Sequence, residues 1–198
     1  MGSMVTEAIN RSMKALEETD SKLAKLVIED DAQINLLRYQ IEEDCLALIA
    51  TKQPAARDLR VVIGALNIVV EMERIGDYAA GISKTVLRMR HEPLLKTLKK
   101  IFKMGELSQK MLSDSLEAFV QQDVERARQI ASMDPEMDQL YKDVFDRLVG
   151  LMAKDPDIVT RAIYLMWTAH NLERIADRVT NIAERTIFVT TGDMTELE

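Results

Sequence analysis

The chain has 198 residues, 47% of them hydrophobic, with a formal net charge of −7. The apolar content suffices for a real core in one or two domains. The acidic balance excludes a general nucleic-acid binder, because nothing concentrates Lys and Arg against phosphates. Ala, Leu, Ile, Glu, Lys, Arg and Met dominate over 7 Gly and 4 Pro, so the expected class is all-α.

The opening "MGS" before Met4 reads as a cloning remnant. The first helix holds "SMKALEETDSKLAKLV" at residues 12–27, with an expected break near Asp30 and Asp31. A second helix then starts at "DAQINLL", residues 31–37, and runs to a turn near residues 52–53. It includes Cys45, the sole cysteine, which reads as a small core residue. One cysteine excludes a disulfide framework and suits a reducing compartment. Pro54 opens a long third helix carrying "EMERIGDYAAGISK" from Glu71. Pro93 separates the halves, and Lys99 and Lys100 read as a solvated basic spot.

The second half repeats this order. "SLEAFVQQDVERARQI" at 115–130 aligns with 12–27, placing Asp123 on Asp20, and "DPEMDQL" at 134–140 aligns with 31–37. Asp155 caps the helix opened by Pro156, which carries "NLERIADRVTNIAER" at 171–185 and ends at Gly192. "HEPLLKTLKKIFKMG" leads into this half without a counterpart in the first, so the first helix reads as truncated. The expected architecture is two tandem three-helix bundles, 4–90 and 91–191, with 192–198 as a tail. No apolar run reaches the roughly 18 residues of a membrane span, and no signal peptide is visible, so the expected location is the cytoplasm.

Glu73 and Asp77, like Glu173 and Asp177, stand four residues apart. Four residues turn a helix face by only about 40°, so each pair shares a face. Leu59, Val62, Leu66, Val69 and Val70 project within about 60° of Glu73, and Val159, Ala162, Met166 and Ala169 flank Glu173 similarly. The pairs therefore fall in apolar stripes, where isolated carboxylates are costly. Counting roughly 19 residues back and roughly 22 forward from the first turn matches Asp31–Asn35 to Glu73–Asp77 within one helical turn. The second turn matches Asp134–Asp138 to Glu173–Asp177. Each half thus assembles one cluster: Asp31, Asn35, Glu73 and Asp77 in one, Asp134, Asp138, Glu173 and Asp177 in the other.

Such oxygen-rich, thiolate-free groups suit hard or intermediate cations: Mg, Mn, Ca, Fe or Zn. The other reading is structural, with Asp31 and Asp134 as helix caps and the glutamates in ion pairs with Arg74, Arg174 or Arg178. His170 projects about 20° from Asp177 and is either an added ligand or a neighbour of the ligands. A second apolar line, Val61, Ile68, Ile75 and Ile82, lies roughly opposite Glu73 at heptad spacing. It packs against the other bundle or, as second choice, in a homodimer.

"LERIADRVTNIAER", "MERIGDYAAGISK" and the two D-x-x-x-[DN] starts resemble the PhoU family of bacterial and archaeal phosphate-uptake regulators, over nearly the whole chain. The resemblance implies two tandem three-helix bundles with multinuclear iron or zinc clusters at the acidic motifs, Mg or Mn being the other candidates. It implies a cytoplasmic negative regulator of the phosphate-starvation response. Its partners would be the ATPase of the phosphate ABC transporter and a membrane-associated sensor histidine kinase, so the membrane is reached only through partners. Asn35 departs from the expected acid, and His170 is not part of the family pattern.

No catalytic residues are expected. A carboxylate-bridged oxidase or metal store is the alternative, but such bundles use Glu-x-x-His pairs, and Arg88 and Trp167 stand three before His91 and His170. Gly-rich phosphate loops and nucleophile triads are missing too. A lipid-surface scaffold lacks its basic amphipathic helix.

Overall fold

The structure is a computed structural model that describes residues 1–89, 99–194 and 197. Every regular element among them is helical: α1 (Gly2–Glu18), α2 (Ser21–Lys52), α3 (Ala56–Met89), α4 (Lys99–Gln121), α5 (Val124–Ala131), α6 (Asp134–Met152) and α7 (Val159–Thr191), with a 3₁₀ turn at Pro156–Ile158. The first half is a bundle of α1, α2 and α3, and the second a bundle of α4, the split pair α5 and α6, and α7. Pro93 and the boundary at residues 90 and 91 lie outside the described residues.

The first break is not at Asp30 and Asp31, which sit inside α2. It falls at Thr19 and Asp20. Thr19 is left-handed (φ 51°), the Asp20 amide bonds Ala15 O at 2.9 Å, and the Asp20 carboxylate accepts from the amides of Lys22 (2.8 Å) and Leu23 (3.1 Å). The second half repeats the turn, with Gln122 at φ 55°, the Asp123 amide on Ala118 O, and its carboxylate on the Arg126 amide. Transferring the later break from Asp134 to Asp31 fails because Pro135 aligns with Ala32. Proline removes an N–H and clashes with the preceding turn, so it ends α5, whereas alanine lets α2 continue. Asp134 is the first residue of α6 rather than its side-chain cap, the cap position being Met133. Asp155 and Gly192 cap as expected.

The largest helix contact is α3 against α7. It is antiparallel: Gly64 faces Val189 and Gly81 faces Asn171. Ile68, Ile75 and Ile82 are buried at the same spacing as Gly64 and Glu71, which touch α7. The second apolar line is thus buried within the chain, on a helix that packs on both α1 and α7. Met1 and Ala8 pack on the core, and Gly2 lies against Leu116, so the first three residues are part of α1 and its approach.

The apolar stripe of α3 is not buried throughout. Leu59 and Ile63 are exposed, as are Leu36, Tyr39, Leu46 and Leu48 on α2. The α2–α3 hairpin is about 50 Å long, twice the span of the 17 residues of α1, so its tip is left without cover. The α6–α7 hairpin likewise exposes Phe145, Val149, Ile163 and Trp167.

The two glycine environments predict opposite effects. A Cβ on Gly64 would stand 2.3 Å from Val189 Cγ2, a stiff β-branched neighbour. Gly64→Ala should destabilise by about 1–3 kcal/mol despite its better helix propensity. Gly150 has nothing within 4 Å of the added atom. Gly150→Ala should stabilise by up to about 1 kcal/mol. Thermal melts of the two variants measure both signs.

Candidate functional site

Asp31 faces Glu73 and Asp77 across one hairpin, and Asp134 and Asp138 face Glu173 and Asp177 across the other, with Asn35 one turn along α2 from Asp31. In the first, Asp31 and Asn35 lie on one face of α2 and Glu73 and Asp77 on one face of α3. Gly76 allows the close approach: a Cβ there would be 3.2 Å from Asp31 Oδ1. Burial pushes the Asp31 carboxyl above its usual range, Asp77 and then Glu73 add to this, and Lys84 opposes them. In the second, burial pushes Asp134 up to about 6, reinforced by Asp138, Asp177 and Glu173 and opposed by Arg174. Asp177 is raised by burial, Glu173 and Asp138 against Arg174 and Arg178.

The clusters are less dry than the apolar stripes implied. Asp77 and Asp138 are exposed, and the other acids are half-buried. The carboxylates sit at the edge of the helix contact, where one side of each hairpin meets water.

Arginines already engage several of them. Arg174 chelates Glu173, from Nε to Oε2 and from Nη2 to Oε1, both at 2.8 Å, and reaches Asp177 Oδ2 at 2.8 Å. Arg74 and Arg178 turn instead to Glu71, at 3.5 and 3.4 Å. Arg38 of α2 bonds Glu73 at 3.2 Å and Glu42 at 2.8 Å. His170 is 52% exposed and its Nδ1 lies 3.5 Å from Glu173 Oε2 rather than at Asp177. Its ring packs on Tyr141, with centroids 6.2 Å apart.

Arg38 and Tyr141 escaped the sequence reading. The spacing 31, 35, 38, 42 of one α2 face was the available clue.

The residues fit a hard cation in donor chemistry. The donors are carboxylate and amide oxygens. Asp31 Oδ1, Asn35 Oδ1 and Asp134 Oδ1 are buried without a donor from the chain. Burial, reinforced by neighbouring acids, holds Asp31, Asp134 and Asp177 above the usual carboxylate range, an electrostatic cost that a cation would offset. Among the described residues, no three His, Cys, Asp or Glu side chains are gathered as a ready-made metal site. Loading therefore requires side chains to turn, Arg174 foremost in the second cluster.

The description "PhoU domain" belongs to the family model that matches residues 1–86 and again 101–186. The chain belongs to the PhoU family. Two matches to one model make each half a copy of the PhoU unit, as the aligned turns and acidic pairs indicate. A Clostridium acetobutylicum protein named phosphate-specific transport system accessory protein PhoU homolog is 36% identical, over 100% of this chain and 90% of its own length. The Escherichia coli PhoU protein of that transport system is 35% identical, over 97% and 80%. The crystal structure of PhoU from Pseudomonas aeruginosa superposes with a TM-score of 0.94 at 35% identity, covering 98% of this chain and 93% of that one. The Streptococcus pneumoniae phosphate transport system regulatory protein PhoU gives 0.93 at 35% identity, over 99% and 92%.

The second cluster carries a pH signature. An acid whose pKa is raised by folding is ionised at a cost, so its stability contribution is complete below the unfolded value near 4 and is lost as pH rises through about 6. In chelator-treated protein, Asp134→Asn should match the parent near pH ~4 and exceed it by about 1–2 kcal/mol above pH ~7, after discounting for solvent screening. Urea titrations across that range measure the difference.

Proposed function

We propose that this chain is a regulatory adaptor of phosphate uptake. It acts in the cytoplasm on the ATPase of the phosphate ABC transporter and on a sensor histidine kinase as a negative regulator of the phosphate-starvation response. It meets the membrane only through those partners. The observation that carries this reading is membership of the PhoU family with relatives named phosphate-specific transport system accessory proteins. Two features support it. No helix among the described residues is long and apolar enough to cross a membrane, so contact with a transporter would run through protein surfaces. Both hairpin tips expose apolar side chains, the kind of face that docks on another protein.

The acidic clusters hold a metal in this reading, iron or zinc first and magnesium or manganese next. Asp31, Asn35, Glu73 and Asp77, and Asp134, Asp138, Glu173 and Asp177, are the candidate ligands, with His170 beside Glu173. The metal supplies positive charge that joins the two helices of a hairpin. It performs no chemistry, and the chain has no turnover of its own.

Two measurements test these parts separately. Pull-down from a native extract should recover the transporter ATPase or the kinase, and Leu46→Glu with Leu48→Glu should reduce recovery at least about tenfold. These side chains are 61% and 43% exposed, so the double variant should keep the parent's melting temperature. Equal recovery would remove the first hairpin tip as the docking face. Elemental analysis of protein purified without chelator or a metal-affinity tag should find metal that Asp177→Ala largely loses. Chelator should lower the melting temperature of the parent far more than that of the variant, since binding to the folded form alone stabilises it. Robust ferroxidase or phosphatase turnover abolished by Glu173→Gln would favour the oxidase alternative.

A further inference from the structure

The two clusters are internal copies and control for one another. In the register that aligns Asp31 with Asp134, Asn35 stands where the second half has Asp138, Arg38 where it has Tyr141, and Glu42 where it has Phe145. Arg38 crosses from α2 to α3. Its Nε donates to Glu42 at 2.8 Å and its Nη1 to Glu73 at 3.2 Å, and its side chain is only 25% exposed. In the second cluster the same position of α6 sends no charge toward Glu173: Tyr141 packs on His170 instead.

The arginine at the second cluster is placed differently. Arg174 lies on α7 itself, 35% exposed, next to the glutamate it bonds. Its repeat partner Arg74 points away from Glu73 and Asp77 to Glu71, 3.5 Å away. A side chain at this position can therefore lie clear of its cluster. Arg38 is held by acids on two helices. The first cluster thus has three carboxylates and an interhelical guanidinium, while the second has four carboxylates and a cation bonded only to the two on its own helix, Glu173 and Asp177.

We propose that Arg38 takes the place of the metal in the first cluster, and that the chain holds metal at the second cluster only. This rests on the metal reading above. A divalent ion entering the first cluster would have to break the bond of Arg38 to Glu73 and sit beside the displaced guanidinium, with one anion fewer to bind it. In the second cluster, Arg174 would have to release Glu173 and Asp177, and the pairing of its repeat partner Arg74 with Glu71 shows an arginine at this position bonded outside its cluster.

The test converts the first cluster into the second type. Parent, Asn35→Asp/Arg38→Tyr, Asp177→Ala and the combined triple variant are purified without chelator, loaded with Zn²⁺, desalted and analysed for zinc. The double variant should hold about twice the zinc of the parent, since its first cluster then has four carboxylates. Asp177→Ala should lose the parent's zinc, whereas the triple variant should keep about as much as the parent. Melts with and without chelator should show a larger zinc-dependent shift in the double variant. If that variant does not fold, Asn35→Asp/Arg38→Gln replaces it. Zinc content in the folded double variant equal to the parent's, or a triple variant as empty as Asp177→Ala, overturns the inference and leaves the metal reading standing. A parent that takes up no zinc, iron, manganese or magnesium overturns both.

Discussion

The antiparallel contact of α3 with α7 is the constraint on which the other features depend. It demands small residues where the helices approach, hence Gly64 under Val189 and Gly81 under Asn171. An ion pair across it, Glu71 to Arg178, lies two residues from Glu73 and one from Asp177. The seam therefore sets the two acidic clusters side by side near the middle of the molecule. Each long helix packs both on its own hairpin partner and on its copy, so each is buried on more than one side.

The clusters face the same electrostatic problem and meet it with different side chains. Carboxylates at the edge of a helix contact repel one another and lose part of their hydration, so their neutral forms are favoured. Arg174 opposes this in the second cluster and still leaves Asp134 raised to about 6. Arg38, bridging two acids in the first, is itself held charged, first by its bond to Glu42 and then by Glu73. Ion pairs of this kind are exposed enough for water to weaken them. They are sufficient to orient side chains, and a multivalent cation outcompetes them only where enough oxygens converge.

The repeat, the helical class, the pairing of hairpins and the approach of the seven acids across them were legible in the sequence, because each follows from periodicity and counting. The position of the first break was not. Asp20 and Asp123 were visibly aligned, yet without Gly or Pro beside them they passed for helix interior. Thr19 and Gln122 adopt the left-handed conformation instead, at a cost of order 1–2 kcal/mol, compensated by the cap and turn hydrogen bonds that follow. The depth of Asp77 and Asp138 was also beyond the wheel. A helical projection gives direction but not how much of a side chain its neighbours cover, and both carboxylates stand at the open edge of their hairpins. Arg38 was hidden for a different reason: ion pairs between helices depend on side-chain reach across a contact, which spacing along one helix records only as a shared face.

The same geometry links cluster and surface on the proposed reading. α2 is unbroken from Ser21 to Lys52, so Arg38 and the exposed Leu46 stand on one rod, about 12 Å apart along its axis. Whatever joins α2 to α3 at the cluster also fixes how the uncovered hairpin tip is held. In the first half that clamp is Arg38 on Glu73, covalently part of the chain and independent of metal supply. In the second half α6 sends no such cation to Glu173, and the shorter rod from Asp134 carries Phe145 and Val149 on its exposed side. A metal there would make the geometry of one tip conditional on its supply while the other stays fixed. Two copies of one unit would then present one constant and one adjustable face, a difference that arises from substitutions at Asn35, Arg38 and Glu42 and not from the fold.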